Sequence, residues 1–382
     1  MKYREFGKTG IQVSCLGFGL MRLQVLDKDH SKIDEERASE MFNHAVSSGI
    51  NYFDTAYPYH TLDFTKGGSS EPFLGKMLRN LDRESIHIAT KLPSWLVQSR
   101  EDMDRLLEHQ LERLRSDYID FYMLHGLNQK MWDNLLQNGA LAFLDKAVSD
   151  GRIRHVGFSF HDLLPLFKSI VDAYAWDFCQ IQYNWYDVDF QAGKEGLEYA
   201  KSLDLAVVVM EPLRGGSLVQ RLPDEVKELM KSRKPDRSVV EWALRWIWAH
   251  QGVSTVLSGM SDMGQLKENL LLANRASEPE WNEMENGTIS EARQILNEKQ
   301  QIKCTACAYC MECPEGVHIP KNFALYNDYY LFDDPAAKLR YRVFTPDTEK
   351  ADKCIDCGVC VEKCPQQIQI PDELKKVAEL FA

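Results

Sequence analysis

The chain has 382 residues, of which 44% are hydrophobic and 27% charged, an ordinary composition for a globular protein that is longer than one typical domain. A formal net charge of -12 disfavours a nucleic-acid partner, and no stretch approaches the roughly 18 consecutive apolar residues of a membrane span. The opening MKYREFGKTG contains no apolar signal-peptide core. Eight closely spaced thiols would be at risk of cross-pairing in an oxidising compartment, so we expect a cytoplasmic location.

Eight short runs of β-branched and aromatic residues alternate with helical patterns in the first part of the chain. Amphipathic helices are predicted over 34–48, 101–115, 141–149 and 238–250. Repeated β-then-α units predict an α/β fold, a (β/α)8 TIM barrel of parallel strands. A doubly wound open sheet is the alternative, but GFGLMRL from Gly17 lacks the third glycine of a dinucleotide fingerprint. The eight runs begin at Ser14, Ile50, Ser85, Tyr118, Arg154, Phe178, Leu205 and Ser254.

Polar residues stand at the ends of successive strands, where the working residues of a parallel barrel lie. The second run ends in Asp54, the third in Lys91 and the fourth in His125, and Ser159 and Gln180 follow in the fifth and sixth. A buried lysine beside an acid lowers the pKa of a nearby tyrosine, which can then act as a general acid near neutral pH. A neutral histidine alongside can hydrogen-bond a carbonyl oxygen. Taken singly, each of these residues is more often a structural ion pair or a helix cap than a catalytic group, but four of them at successive strand ends are much harder to explain in that way.

Several segments resemble the aldo-keto reductase family. FDTAYPY from Phe53, ATK from Ala89 and MLH from Met123 resemble the motifs of its catalytic tetrad. The opening MKYREFGKTGIQVSCLGFG resembles the family's N-terminal hairpin and first strand, and SSEPFLGKML from Ser69 resembles its second helix.

The resemblance implies an NAD(P)H-dependent oxidoreductase that reduces a small-molecule aldehyde or ketone to an alcohol. The family's spacing favours Tyr59 over Tyr57 as the catalytic tyrosine. The catalytic residues that the resemblance implies are Asp54, Tyr59, Lys91 and His125.

The resemblance also implies a binding site for NADP(H), with NAD(H) as the alternative. Ser159 and Gln180 would hold the nicotinamide carboxamide, and Met210 stands where a tyrosine commonly stacks on the ring. SGMSDMGQLKEN from Ser258 resembles the cofactor-binding turn and helix, where a glycine–serine turn can present N–H groups to an anion, although an ordinary N-capped helix has the same pattern. Gln265 replaces an arginine that grips the 2'-phosphate in some members. The residues implied at the adenosine phosphate end are Gly259, Ser261, Gln265, Glu268 and Asn269.

Two features concern the substrate. The stretch HTLDFTKGG, residues 60–68, is an expansion that we expect over the mouth of the active site. Trp95, Asn184 and Trp185 are candidate substrate-wall residues, with plain packing as the alternative for the tryptophans.

Eight of the ten cysteines lie between Cys304 and Cys364, in the runs CTACAYCMECP and CIDCGVCVEKCP. Both runs continue to an Ile-Pro pair, which indicates a duplication with a period of about 50 residues. Thiolates at this density predict two [4Fe-4S] clusters, and zinc is the less fitting alternative. In two-cluster ferredoxins the fourth cysteine of each run ligates the other cluster. One predicted cluster is therefore held by Cys304, Cys307, Cys310 and Cys364, and the other by Cys354, Cys357, Cys360 and Cys313.

The change in composition near Asn297 predicts two domains, a barrel over residues 1–297 and a second domain over 298–382. Phe323, Tyr326 and Tyr330 lie at helical spacing between the cysteine runs, and this resembles the α-helical ferredoxins, so we expect a small, mainly α-helical ferredoxin-like domain. Nicotinamide passes two electrons as hydride, whereas such a cluster passes one. An iron–sulfur electron-transfer or redox-sensing protein that uses the barrel as a docking scaffold is therefore the alternative function, and an external one-electron carrier is a candidate partner.

Overall fold

The computed structural model describes residues 1–276, 281–304, 310–311, 313–364 and 366–382. These residues form two compact units. The first contains Met1–Pro212 and Ala243–Trp281, and the second contains Leu213–Trp242 and Asn282–Ala382. The domain limits expected from composition, 1–297 and 298–382, remain a prediction. No helix in the described ranges combines the length and the apolar character that crossing a membrane requires.

A β-hairpin opens the first unit. Strand β1 (Tyr3–Glu5) pairs antiparallel with β2 (Gln12–Ser14). The Arg4 guanidinium on β1 donates to the carbonyl oxygen of Val253 at 2.8 Å. Phe6 follows β1 and is completely buried, with its ring centroid 4.3 Å from that of Phe121. The hairpin is therefore anchored by a buried ring and by a charged hydrogen bond to backbone.

Eight parallel strands follow the hairpin, and each overlaps the run predicted for it. The strands are β3 (Leu16–Gly19), β4 (Tyr52–Asp54), β5 (His87–Leu92), β6 (Ile119–Leu127), β7 (Ile153–Phe160), β8 (Phe178–Gln182), β9 (Ala206–Met210) and β10 (Val253–Ser258). Within the described residues they close into a barrel in the order β10-β3-β4-β5-β6-β7-β8-β9. The first barrel strand pairs with the last, with Phe18 opposite Ser258. This closure confirms the predicted TIM barrel and excludes the doubly wound open sheet.

Helices follow the barrel strands, and their ends carry the expected signals. Asp34 caps the first helix by accepting a hydrogen bond from the backbone of Arg37, and Ser99 and Asp102 form a capping box at the start of the third. The four helices predicted from the sequence are present, and their ends differ by at most two residues. The helices of this part of the chain are α1 (Glu35–Ser47), α2 (Ser70–Met77), α3 (Arg100–Leu114), α4 (Gln129–Gln137), α5 (Ala140–Ser149), α6 (Leu164–Asp172) and α7 (Gly193–Ser202).

The second unit is helical where the structure describes it. The remaining helices of the chain are α8 (Ser217–Gln220), α9 (Asp224–Arg233), α10 (Val239–Trp248), α11 (Met263–Asn274), α12 (Glu283–Lys299), α13 (Ile319–Leu331), α14 (Ala336–Phe344), α15 (Val359–Glu362) and α16 (Ile370–Phe381). The second unit contains α8, α9 and α12 to α16. Helix α10 begins in the second unit and continues in the first from Ala243, and α11 belongs to the first unit. The predicted small helical region at the C-terminus is therefore confirmed.

Ion pairs connect the two chain segments of the second unit. Arg214 lies 2.5 Å from the Asp328 carboxylate, and Arg340 contacts the same residue at 3.1 Å. Arg340 also lies 2.9 Å from Asp334, which pairs in addition with Arg221. Both aspartates are nearly buried, so removing one partner of such a pair would cost more stability than removing one partner of an exposed pair.

Glu285 anchors the start of α12 and offers a test of the second unit. It is completely buried, its carboxylate accepts from the backbone of Asn282 at 2.8 Å, and it pairs with Arg237. Replacing Glu285 with Ala removes the closer of two carboxylates beside Arg237, since Glu241 lies 3.8 Å away, so we expect a loss of about 3 kcal/mol in the stability of this unit. Urea unfolding followed by circular dichroism measures the loss. The control is Glu283→Ala, an exposed acid in the same turn, and equal effects of the two changes would contradict the assignment.

Candidate active site

The ammonium group of Lys91 lies at the carboxyl end of the barrel among three oxygen atoms. Its Nζ donates to Asp54 Oδ2 at 2.7 Å and to the Thr55 carbonyl at 2.8 Å, and it lies 3.4 Å from the Tyr59 hydroxyl. Strands β4 and β5 are neighbours, which brings Asp54 and Lys91 together. Because the Lys91 side chain is completely buried, these oxygens replace the water that would otherwise solvate its charge.

Two tyrosines follow β4, and their hydroxyls have different partners. Tyr59 is half-buried, and its ring centroid lies 6.3 Å from that of His125 with the planes at 79°. Tyr57 is buried, and its hydroxyl lies 3.4 Å from Nδ1 of His109 on α3. The structure therefore brings Tyr59, and not Tyr57, to Lys91.

Burial and charge act in opposite directions on the pKa of Tyr59. Burial raises the pKa of the phenol, the Lys91 ammonium lowers it and the Asp54 carboxylate raises it, so that it lies above its ordinary value. The expectation of a lowered pKa was wrong, because burial outweighs the ammonium. A raised pKa keeps the phenol protonated at neutral pH, which is the state that a proton donor requires.

The ammonium of Lys91 retains its charge despite burial. Burial alone would lower the pKa of Lys91, but the Asp54 carboxylate and Tyr59 raise it above its ordinary value. Lys91 therefore offers a fixed positive charge beside the Tyr59 hydroxyl.

His125, on β6, is held in the neutral form. Burial and the nearby Lys91 charge put the pKa of His125 well below its ordinary value. Its backbone N–H donates to Ser94 Oγ at 3.0 Å, and its ring lies 5.2 Å from that of Trp95. The buried Nδ1 has no hydrogen-bond partner among the described residues. A neutral imidazole in this position can donate a hydrogen bond to a carbonyl oxygen.

A buried hydrogen-bond network that sequence reasoning missed supports the strand of Lys91. Glu71, in the first turn of α2, is completely buried and accepts from Thr90 at 2.8 Å, Gln110 at 2.7 Å and Arg113 at 2.9 Å. Gln110 also donates to the Lys91 carbonyl at 3.0 Å. These partners lie on different elements, so no local pattern identifies them. An acid next to the apolar residues of SSEPFLGKML was the one available signal.

Three residues expected at the nicotinamide lie on neighbouring strands. Ser159 on β7 is opposite Gln180 on β8, and the Gly126 backbone donates to Ser159 Oγ at 2.7 Å. The Gln180 side-chain amide donates to Met210 Sδ at 3.5 Å. Gln180 Oε1 is buried without a hydrogen-bond partner in the described part of the chain. The amide N–H of a nicotinamide carboxamide would satisfy this oxygen, so these residues fit the expected cofactor.

The turn after β10 has the geometry of a capped helix start. The Ser261 backbone donates to Gln265 Oε1 at 3.0 Å, and Asp262 Oδ1 accepts from the Gln265 backbone at 2.9 Å. Glu268 is half-buried and Asn269 buried on the same helix, α11. The side chain of Gln265 is therefore already hydrogen-bonded to the backbone of the turn that we expect to face the adenosine phosphate.

Arg22 stands beside this turn, although the sequence analysis did not assign it. A Cβ atom added to Gly259 would lie 3.0 Å from Arg22 Cδ, so the two residues are in close approach. The pairing of β3 with β10 produces this proximity, because Arg22 follows β3 and Gly259 follows β10. Arg22 is exposed and adds a cation near the expected phosphate-binding turn.

The three candidate substrate-wall residues differ in exposure. Trp95 is half-buried, whereas Asn184 and Trp185 are completely buried. The Asn184 amide donates to Asp187 Oδ2 at 3.0 Å and to the Glu211 carbonyl at 3.3 Å. Of the three, only Trp95 presents a surface to a substrate.

Cysteines from both runs meet in the second unit. Cys360 is buried, and its pKa is raised by burial and further by the nearby thiols of Cys354, Cys313 and Cys357. Cys313 belongs to the first run and the other three to the second. This is the set predicted for one cluster, and its thiols fit the four-cysteine donor set of [4Fe-4S].

The cysteines predicted for the other cluster are Cys304, Cys307, Cys310 and Cys364. Cys310 is buried, and Cys304 and Cys364 pack partly buried against the same apolar core, which includes Phe323 and Tyr326. Cys307 lies outside the described residues. No group of three or more His, Cys, Asp or Glu in the described ranges forms a site for a single metal ion.

Comparisons with known proteins agree with this geometry. Residues 15–288 match the model of the aldo/keto reductase family, and residues 303–368 match that of the 4Fe-4S dicluster domain. The chain is 27% identical to the L-galactose dehydrogenase of Arabidopsis thaliana over 83% of this chain and 98% of that protein. It is 26% identical to the 6-dehydroglucose reductase of Novosphingobium aromaticivorans over 70% of this chain and 88% of that protein. The holo form of an aldo-keto reductase from Bacillus halodurans is 28% identical, with a TM-score of 0.63, over 76% of this chain and 96% of that one.

The buried pair of Lys91 and Asp54 can be tested through stability. Lys91→Met leaves the Asp54 charge buried without its partner, so we expect a loss of about 3–5 kcal/mol, and a second change, Asp54→Asn, should restore part of it. Urea unfolding of the single and double variants measures both effects. Lys76→Met is the control, because the pair of Lys76 with Glu35 is exposed and its loss should cost at most about 1 kcal/mol. A double variant no more stable than Lys91→Met would contradict the buried-pair interpretation.

Proposed function

Because the chain belongs to the aldo/keto reductase family, we propose that it reduces an aldehyde or ketone to an alcohol with NADPH or NADH. The observation that carries the proposal is the Lys91 ammonium, bound to Asp54 and 3.4 Å from the Tyr59 hydroxyl. The names of two relatives specify L-galactose and 6-dehydroglucose, so sugars join simple aldehydes and ketones as candidate substrates.

The proposed proton donor is Tyr59. A bound reduced nicotinamide supplies the hydride, which forms the new C–H bond at the carbonyl carbon. The carbonyl oxygen takes the proton of the Tyr59 hydroxyl, and the Lys91 ammonium stabilises the phenolate that remains. Asp54 holds Lys91 in place through the 2.7 Å contact. Neutral His125 orients the carbonyl oxygen by donating a hydrogen bond to it.

The proposed cofactor site runs from β7 around to α11. Ser159 and Gln180 would hold the carboxamide, and Met210 would contact the ring through its thioether, which is softer than an aromatic stack. Gln265 brings no cation to a 2'-phosphate, whereas exposed Arg22 stands beside the same turn, so the donor set favours neither NADPH nor NADH. The residues proposed at the phosphate end are Gly259, Ser261, Gln265, Glu268 and Asn269, with Arg22 nearby.

We further propose two [4Fe-4S] clusters in the second unit, which would exchange single electrons with an external carrier. A reducing compartment such as the cytoplasm would keep the eight thiols from forming disulfides. One cluster would be held by Cys304, Cys307, Cys310 and Cys364, and the other by Cys313, Cys354, Cys357 and Cys360.

Electron transfer or redox sensing is the second candidate function, with the barrel as a docking scaffold. The match of residues 303–368 to a dicluster domain favours it, because hydride transfer alone gives the clusters no task. In that case the unmodified chain would not turn over carbonyl compounds with NADPH or NADH.

Tyr59→Phe tests the proton donor directly. The change removes the hydroxyl and keeps the ring, so we expect kcat with a carbonyl substrate to fall by about 10²- to 10⁴-fold. The Kd for NADPH, measured by fluorescence titration, should change little. The matched control is Tyr57→Phe, whose hydroxyl faces His109, and it should retain its rate. Retained turnover in Tyr59→Phe would refute the assignment of Tyr59 as proton donor.

Metal content tests the proposed clusters. Protein purified without oxygen should contain about eight iron and eight acid-labile sulfide atoms per chain. Cys360→Ala removes a buried thiol of one cluster, so iron should fall toward about four per chain. Cys179→Ala is the control, because Cys179 is a buried cysteine of the barrel strand β8. Unchanged iron in Cys360→Ala, or zinc in its place, would contradict the cluster assignment.

A further inference from the structure

Helix α13 of the second unit carries two adjacent polar residues that bind different parts of the chain. The Asn327 side-chain amide accepts from the Ile302 backbone at 2.9 Å and donates to the Ile302 carbonyl at 2.8 Å. Ile302 is buried and stands two residues before Cys304, where the first cysteine run begins. The next residue on the helix, Asp328, lies 2.5 Å from Arg214. Helix α13 therefore connects the start of a cysteine run with the segment that follows β9.

Helix α14 has the same arrangement for the second cysteine run. The Tyr341 hydroxyl accepts a hydrogen bond from the Ala351 backbone at 2.9 Å, and Ala351 is buried three residues before Cys354. The preceding residue on the helix, Arg340, lies 3.1 Å from Asp328. Each of the two helices thus uses one residue to hold the chain before a cysteine run and an adjacent residue for the ion pairs at Asp328.

Arg214 is held at this point by two contacts. Its side chain is 13% exposed, and its guanidinium carbon lies 5.2 Å from the centre of the Phe332 ring, at the end of α13. Arg214 has a φ of 50°, and Gly215 and Gly216 have φ of 66° and 97°. A non-glycine residue in this left-handed region is strained and persists only when its surroundings hold it. The contacts with Asp328 and Phe332 hold Arg214 in this conformation.

The segment that contains Arg214 continues directly from the proposed nicotinamide site. Met210, which we expect at the nicotinamide ring, ends β9 and precedes Arg214 by four residues in the chain. Between them, the Glu211 carbonyl accepts from the Asn184 amide at 3.3 Å. The chain that leaves the nicotinamide site is therefore fixed first by Asn184 and then, within the second unit, by Asp328.

We propose that Asp328 is a positioning residue for the cofactor site and that, through Arg214, it makes the affinity for the nicotinamide cofactor depend on the iron–sulfur clusters. A cluster bound by thiolates of both runs cross-links them, and this stabilises the helices that hold the chain before each run. Loss of the clusters removes the cross-link, loosens α13 and releases Arg214, so that Met210 loses its fixed place at the ring.

This inference rests on the proposed cofactor site and on the proposed clusters. It assigns the clusters a task that hydride transfer does not give them, which is the retention of the cofactor. Asp328 contacts neither the substrate nor the cofactor in this role, because it acts through Arg214 and the segment after β9.

The test measures the Kd of the full chain for NADP⁺ and for NAD⁺ by isothermal titration calorimetry without oxygen. The oxidised cofactors are used because they cannot reduce the clusters. Each titration is made with the clusters bound and again after their removal with ferricyanide and a chelator, followed by gel filtration. In the unmodified chain, removal should raise the Kd of the bound cofactor about tenfold, a typical size for coupling between two sites.

Asp328→Asn keeps the size of the side chain and removes the charge that pairs with Arg214, while Arg340 keeps its pair with Asp334 at 2.9 Å. With clusters bound, this variant should already bind the cofactor about tenfold more weakly, and removal of the clusters should add little. Asp333→Asn, a change of an exposed aspartate nearby, is the matched control and should respond like the unmodified chain. Iron content and circular dichroism verify that each variant is folded and loaded. If Asp328→Asn fails to load, Arg214→Gln replaces it with the same expected pattern.

The outcomes separate this inference from the proposals on which it rests. If the unmodified chain contains no iron, or binds neither cofactor, the corresponding proposal fails and the inference fails with it. If clusters and cofactor both bind and removal of the clusters leaves the Kd unchanged, the inference alone is overturned. A rise on removal, with Asp328→Asn indistinguishable from Asp333→Asn, would show that the connection does not pass through Asp328 and would also overturn it.

Discussion

The site of this protein depends on one buried ammonium group. Transfer of a lysine charge from water into a barrel interior is costly, and the cost is offset only when several oxygen atoms replace the lost water. Lys91 obtains them from the Asp54 carboxylate, the Thr55 carbonyl and the Tyr59 hydroxyl. Each oxygen comes from β4 or the loop after it. The Lys91 charge therefore constrains the path of the loop after β4, and that loop positions Tyr59.

The second constraint is the buried hydrogen-bond network behind Lys91, which joins its strand to the neighbouring helices. Glu71 joins α2 to β5 and α3 through Thr90, Gln110 and Arg113. Arg113 also donates to the Gly68 carbonyl, at the end of the expansion over residues 60–68. One buried carboxylate thus connects the strand of the charged lysine with the end of that expansion. Such a network is effective only when every member has a partner, and each of these has one.

The second unit follows a similar principle with different chemistry. Asp328 and Asp334 are nearly buried and form ion pairs with arginines from distant parts of the chain. These ion pairs connect the segment after β9 with the C-terminal helices of the same unit. Thiols from two cysteine runs gather on one apolar core. Cys313 of the first run and Cys354 and Cys357 of the second all lie near Cys360, which is consistent with the four-cysteine set proposed for one cluster.

The amino-acid sequence by itself determined the barrel, because parallel strands covered on both sides need continuous apolar runs, and eight such runs are visible. It also placed Asp54, Lys91 and His125 correctly at one end of the barrel, since the carboxyl ends of parallel strands converge. The runs of cysteines predicted a cluster-type domain because the spacing of such ligands is local in the chain.

The tertiary structure decided the rest. It turned Tyr57 toward His109 and Tyr59 toward Lys91, and it raised the pKa of Tyr59 where a lowered one was expected. It buried Trp185, exposed Phe64 and assembled the Glu71 network. Burial and the partners of a buried group depend on residues far apart in the chain, and no local pattern contains them.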